Sequence, residues 1–132
     1  MDDVSAAVWT VVTDLYRAYL DSDRPRLEAH LAEDCTLWET AAPSLRTKSD
    51  VQAAHHARPP DEPQPIDLIA TNPRIRVWGD TASETHELRA VFPDASLDQQ
   101  LRCSSVLRRT GGRWLFVHHH EELLPPGPAP SA

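Results

Sequence analysis

The sequence predicts an α+β domain in which a curved antiparallel sheet wraps, as a cone, around three N-terminal helices. Two observations carry this reading. Ahead of Pro59-Pro60 the sequence reads as three helices and one short strand, and from Ile66 onward the period changes to two. Helices therefore come first and strands afterwards, the order of an α+β domain rather than of alternating α/β units. Long antiparallel strands with helices on one face curl around them and leave an apolar interior open at one end.

The first helix spans Val4 to about Leu20. Val4, Ala7, Val8, Val11, Val12, Leu15 and Tyr19 recur on one face, and Trp9, Tyr16 and Leu20 widen it. Asp21-Ser22-Asp23 breaks the pattern and caps a second short helix, with Pro25 in its first turn. Leu27 and Leu31, four residues apart, form its buried side, and Glu33-Asp34 closes it. Cys35 to Glu39 follows as a short strand. After a loop around Pro43, Thr47 or Ser49 caps a third helix with Asp50 in its first turn. That helix stops before Pro59-Pro60, and the stretch from Arg58 to Pro65 is a solvent loop.

Four strands in meander complete the domain. Ile66 begins the first, which Pro73 bends or bulges before it continues through Arg74 to Trp78. Gly79-Asp80 turns the chain into a strand from Thr81 to Phe92. Pro93-Asp94 leads to another, Leu97 to Arg109, and Gly111-Gly112 makes a hairpin turn into the last. The domain is expected to occupy residues 1–124, with 125–132 a disordered proline-rich tail.

The last strand is the most informative. Strict alternation puts Trp114, Phe116, His118, His120 and Glu122 on one face and Leu115, Val117, His119 and Glu121 on the other. On that parity His118 and His120 point into the cone beside the bulky apolar residues, and His119 faces solvent. Imidazole exchanges protons near neutral pH and ligates metals.

Composition excludes several classes. The chain has 132 residues, enough for one domain, and 40% of them are hydrophobic. Its formal charge of -7 disfavours a nucleic-acid backbone or an anionic membrane as partner. It has no run of about 18 apolar residues that could cross a bilayer. Met1-Asp2-Asp3 lacks the basic start of a signal peptide, so a cytoplasmic location is expected. Cys35 and Cys103 are expected as buried free thiols, and no C-x-x-C motif provides a zinc knuckle.

Four segments carry a family resemblance: Leu15-Tyr16-Arg17-Ala18-Tyr19-Leu20-Asp21-Ser22-Asp23, Leu31 through Glu39, Val77-Trp78-Gly79-Asp80-Thr81-Ala82, and the terminal Trp114-x-x-x-His118-x-His120. In that order and spacing the chain resembles the nuclear transport factor 2-like (cystatin-like) superfamily, and within it the SnoaL-like and ketosteroid-isomerase-like proteins, over residues 4 to about 123. The resemblance implies a general-base carboxylate at the end of the first strand, where Glu39 stands. It also implies a tyrosine donor on the first helix, matched by Tyr16 with a one-residue gap. Ketosteroid isomerase adds a protonated aspartic acid as a second donor. That acid has no direct match in this chain, which offers His86, Arg102 or Ser104 where a strand could supply it. Members of the superfamily include isomerases, cyclases, dehydratases and non-catalytic binding or assembly modules, so the fold alone does not choose among them.

Read residue by residue, Glu39 follows an apolar strand, and a carboxylate in a dry pocket makes a suitable general base. His118 and His120 would be its acid–base partners. Together they could also chelate a metal if His86, Glu39 or Glu122 gave a third ligand. The three helices argue against a pure metal-binding β barrel, and no metal or other cofactor is expected. His86 shares a face with Ala82, Glu84, Leu88 and Ala90, and Arg102 shares one with Gln100, Ser104 and Val106. These sets are either one network inside the cone, the solvated side of the sheet, or part of a dimer face. Arg102 has the fork to clamp a carboxylate. His55-His56 suits the C-terminal end of the third helix. The tryptophans read as core, except that Trp38, beside Glu39, could stack on a flat ligand.

The reading is therefore a proton-transfer enzyme on a small hydrophobic molecule. Glu39, His118 and His120 would be catalytic, and Tyr16, Trp38, His86, Arg102 and Ser104 would bind substrate. The alternative is a non-catalytic ligand-binding or assembly module. A homodimer through the outer sheet face is expected.

Overall fold

The structure, a computed structural model, describes residues 1–57 and 61–126, and side chains throughout these except at 55–57. The expectations for His55-His56, for Pro59-Pro60 and for the end of the tail thus lie outside the described residues.

Helix α1 runs Asp3–Leu20, and the Asp2 carboxylate caps it by accepting from the Ser5 N–H at 2.7 Å. Val8, Val12, Leu15, Tyr16 and Ala18 are its buried residues, at the helical spacing the sequence shows. Helix α2 covers Arg24–Ala29 and is capped by Asp23. Asp14 ties the two helices together, because its carboxylate accepts from both Arg26 and His30. The Arg26 guanidinium, with a smaller pull from His30, overcomes the effect of burial and holds the Asp14 carboxyl down at about 2.

Strand β1 spans Leu31–Glu39, four residues longer than expected at its start, so Leu31 is a strand residue and not the second leg of a helical pair. The His30 carbonyl accepts from the Phe116 N–H at 2.8 Å, which draws the chain into the sheet as soon as α2 ends. A two-residue strand β2, Arg46–Thr47, leads into helix α3, Lys48–Ala57. Thr47 Oγ1 accepts from the Asp50 N–H while the Asp50 carboxylate accepts from the Thr47 N–H, a reciprocal capping box.

The remaining strands are β3 (Asp67–Trp78), β4 (Thr81–Val91), β5 (Gln99–Thr110) and β6 (Arg113–Leu123). They form the expected antiparallel meander, but the whole sheet is mixed, with order β2-β1-β6-β5-β4-β3 and β1 parallel to β6. Register slips in β3 between Thr71 and Arg74, where Asn72 has φ 55° and Pro73 has no N–H to donate. Gly111 and Gly112 both take positive φ, 57° and 77°, as a two-residue hairpin turn between paired Thr110 and Arg113 requires.

One irregularity reverses an expectation. Leu107 pairs with Phe116, but the next residue down β5, Val106, pairs with His118. Val117 is therefore an extra residue in β6, a β-bulge. Trp114 and Phe116 point inward before it, and His119 and Glu121 point inward after it. His119 is only 2% exposed. The inward placing of His118 and His120, and the outward placing of His119, are corrected: alternation holds on each side of the bulge but not across it.

Phe116, Leu107, Val8, Val12 and Cys35 are fully buried at the centre of the core. Both cysteines are buried and free. Among the described residues, no helix is long and apolar enough to cross a membrane.

Candidate functional site

The concave face of the sheet and α1 enclose a cavity of about 680 Å³. Its walls carry apolar side chains, Leu15, Val51, Leu88 and Ala90 among others, and polar ones from Tyr19, Glu62 and Gln99 as well as Tyr16, Glu39, Arg46, His119 and Glu121, the last five bearing on chemistry. Polar groups set among apolar walls are the usual composition of a small-molecule site.

Behind this polar end lies a two-row grid on the inner face. Register places Glu84, Ser105 and His119 in one row across β4, β5 and β6, and His86, Cys103 and Glu121 in the next. Hydrogen bonds run along the outer strands of the grid. His86 Nδ1 lies 2.7 Å from Glu84 Oε2, and His119 Nε2 lies 2.9 Å from Glu121 Oε1. The Ser105 hydroxyl is 2.7 Å from His119 Nδ1, so both nitrogens of that ring are engaged. From α1, Tyr16 Oη reaches His86 Nε2 at 2.7 Å and lies 3.7 Å from Cys103 Sγ.

Electrostatics sets the protonation of the groups nearest the cavity. Burial opposes charge on His119, but the hydrogen bond and charge of Glu121, with Glu84 and Glu39 behind them, hold its pKa above the ordinary imidazole value. Burial likewise works to raise Glu121, and the bonded His119, helped by His86, outweighs it and holds the carboxyl below its usual value. Each partner thus favours the charged form of the other. Burial pushes the Tyr16 hydroxyl well above the ordinary tyrosine value, with Glu121 adding to the effect, so Tyr16 keeps its proton. Burial and the nearby Glu121 and Glu84 carry the Cys103 thiol up to about 12, against a smaller lowering by Tyr16.

The sequence-predicted residues divide between the two faces. Glu39 lines the cavity beside Glu121, its parallel-strand partner, but its Oε2 accepts from Arg46 Nη1 at 2.8 Å. Tyr16 lines the cavity too, and His86 is buried behind it. The other five are on the outer face. His118 bonds Thr36 there, at 2.8 Å between Thr36 Oγ1 and Nδ1, and His120 is exposed opposite Ser104. Burial, with the adjacent His119 and His120, lowers the His118 pKa. Arg102 donates to Glu122 at 2.9 Å across the outer face, and Trp38 is 45% exposed. Trp78, expected in the core, is 57% exposed. A groove of about 830 Å³ on this face, flanked by Arg74, Glu87, Arg102 and Glu122, is wider than the inner cavity. Arg102 and Glu122 pair with each other at its surface, and His86, Cys103, Ser104 and His120 also line it.

The expected set therefore does not assemble at one point: Glu39 is separated by the sheet from His118 and His120. The residues the sequence reading passed over are His119, Glu121, Glu84, Ser105 and Cys103. One pattern points to three of them, and to His86: Glu84-x-His86 and His119-x-Glu121 are mirrored acid–histidine pairs at same-face spacing on strands.

Residues 8–123 match the family model described as a SnoaL-like domain. Among solved structures, an NTF2-like protein of unknown function from Pseudomonas putida KT2440 aligns with a TM-score of 0.76 at 20% identity, over 89% of this chain and 84% of that one. A ketosteroid isomerase-like protein from Erwinia carotovora atroseptica SCRI1043 aligns with a TM-score of 0.76 at 14% identity, over 96% and 100%. The S. rosetta CaMKII hub aligns with a TM-score of 0.77 at 20% identity, over 90% and 95%. At these identities the likenesses establish the fold. No curated protein matches the chain.

Proposed function

Because the chain belongs to the SnoaL-like domain family, and because its cavity ends in a hydrogen-bonded acid–base dyad, we propose that it is a proton-transfer enzyme of the isomerase, cyclase or dehydratase type. Its substrate is a small, largely apolar molecule, and its acid–base groups are its own side chains. The observation that carries this reading is the His119–Glu121 pair, at 2.9 Å, facing the cavity between the sheet and the helices.

The roles follow from the donor and acceptor inventory. Glu121 is the base: His119 holds Oε1, and Oε2 has no hydrogen bond among the described residues. The protonated Tyr16 hydroxyl, which meets His86 Nε2 at 2.7 Å, becomes the donor that steadies a substrate oxygen when its one hydrogen turns from His86 to the substrate. His119 orients Glu121 and returns the proton. Glu39 and Arg46, an ion pair lining the same cavity, hold a polar end of the substrate. The outer sheet face, with Trp38, Trp78 and Val106 exposed, is assigned to contact with a second copy of the chain.

A panel of enolisable ketones and lactones in D2O tests the proposal, with exchange of the hydrogen beside the carbonyl followed by proton NMR. Wild-type protein is expected to accelerate exchange on at least one member. Glu121→Gln is expected to lower that rate by about 10²-fold or more, the usual scale of a general base. Exchange that survives Glu121→Gln unchanged, or a panel that binds without exchanging, overturns proton transfer and leaves a ligand-binding module.

A further inference from the structure

We propose that Cys103, His119 and Glu121 form a site for one soft divalent cation of the zinc class, at the inner end of the cavity. Each side chain offers one ligand atom, and the three atoms all lie within 4.8 Å of one another. Strand pairing enforces this closeness. Cys103 and Glu121 are direct partners across β5 and β6, and His119 is the next inward residue along β6.

The donor chemistry fits zinc. Thiolate, imidazole and carboxylate are its three protein ligand types, at bonds of about 2.0 to 2.3 Å. Ligand atoms on a tetrahedral zinc ion then stand roughly 3.4 to 3.6 Å apart, so the three side chains close by little more than about 1 Å. Cys103 and His119 are buried, whereas the Glu121 side chain is 28% exposed, and both His119 and Glu121 line the cavity. Three protein ligands with the fourth position open to a cavity is the arrangement of a reactive metal site rather than a closed structural one.

Charge balances as well. The Cys103 thiolate and the Glu121 carboxylate would neutralise the two charges of the cation, with neutral His119 as the third ligand. The ion replaces the direct His119–Glu121 hydrogen bond, and the site holds whether or not the dyad moves a proton for a substrate.

The second thiol supplies an internal control, because Cys35 is buried on β1. Tag-free protein, reduced and kept from oxygen, is titrated with Co²⁺ and followed in the near-ultraviolet and visible range. One equivalent of Co²⁺ is expected to bring up a thiolate-to-cobalt charge-transfer band and tetrahedral d–d bands. Cys35→Ser is expected to keep both and Cys103→Ser to lose the charge-transfer band, while His119→Gln weakens Co²⁺ binding by at least about tenfold. Independently of any variant, wild-type protein loaded with ¹¹³Cd is expected to give one resonance coupled to one cysteine and one imidazole. Absence of the charge-transfer band at stoichiometric Co²⁺, its loss with Cys35 rather than Cys103, or a cadmium resonance without the cysteine and imidazole couplings overturns the proposal. None of these results bears on carbonyl-side exchange, so the two proposals fail separately.

Discussion

The rings of His86 and His119 lie nearly parallel, 22° apart in plane and 6.5 Å between centroids, although β5 separates their strands. They are diagonal corners of the inner grid, each bonded to a glutamate on its own strand. Two acid–histidine pairs thus run in opposite senses across one buried surface. Trp9 closes on His86 edge-on at 5.6 Å and Phe116 on His119 at 5.5 Å, so aromatic packing fixes both rings.

His119 is expected to titrate above the ordinary imidazole value of 6.5 in EDTA-treated wild-type protein, followed by NMR of the ring. In Glu121→Gln it is expected to fall below that value, because burial is the largest influence on it and Glu121 provides the main opposition. The consequence for stability has a definite sign. A raised histidine contributes stability fully below about pH 6.5 and loses it as pH rises through the raised value. Glu121, held below its ordinary 4.5, contributes above that pH and loses it as pH falls through the lowered value. The dyad is therefore strongest between roughly pH 4.5 and 6.5. Urea titrations across pH should show the difference between wild type and Glu121→Gln largest in that window.

The bulge makes neighbouring histidines unequal. His119→Ala removes the partner of both Ser105 and Glu121 and is expected to cost about 2–4 kcal/mol in urea unfolding, because buried polar groups are left unpaired. His118→Ala loses one half-buried bond to Thr36 and is expected to cost about 1 kcal/mol or less. Equal costs, or the reverse order, would place the bulge elsewhere.

Tyr16→Phe keeps the ring packing but leaves His86 Nε2 without its 2.7 Å partner. A loss of about 1–3 kcal/mol is expected from that buried nitrogen, measured by thermal or urea denaturation. Tyr19→Phe, nearby on the same helix, acts as the reference for losing a hydroxyl that bonds at the surface.

Much of the fold was legible because its determinants are local. Helix α1 announces itself through Val8, Val12 and Leu15, and the meander through alternation and the turns at Gly79-Asp80 and Gly111-Gly112. The start of β1 was not. Leu31 to Asp34 carries no alternation, and it is the pairing of Leu31 with Phe116, with the bond from the Phe116 N–H to the His30 carbonyl, that brings that segment to the sheet. Strand β2 has two residues, too few to show a period. The site suffered most, because the facing of Arg102, Ser104, His118 and His120 depends on registers between strands. A bulge is a property of a strand pair: Leu115 pairs with Arg108 while Val117 is left unpaired, and nothing in either residue alone marks that difference.

Val117 has the effect of an inserted letter in a two-letter reading frame. Were Val117 paired with Val106 rather than bulged, the inward slot opposite Ser105 would pass from His119 to His118, and the slot opposite Cys103 from Glu121 to His120. The run of three histidines makes the first slot frame-degenerate, since either frame delivers an imidazole beside Ser105. The second slot has no such redundancy: one frame supplies a carboxylate, the other a second imidazole. Deleting Val117 would close the bulge yet keep His119 opposite Ser105 and Glu121 opposite Cys103, because the ladder already skips that residue, whereas drawing Val117 into the ladder would leave a ring in the first slot and erase the acid from the second.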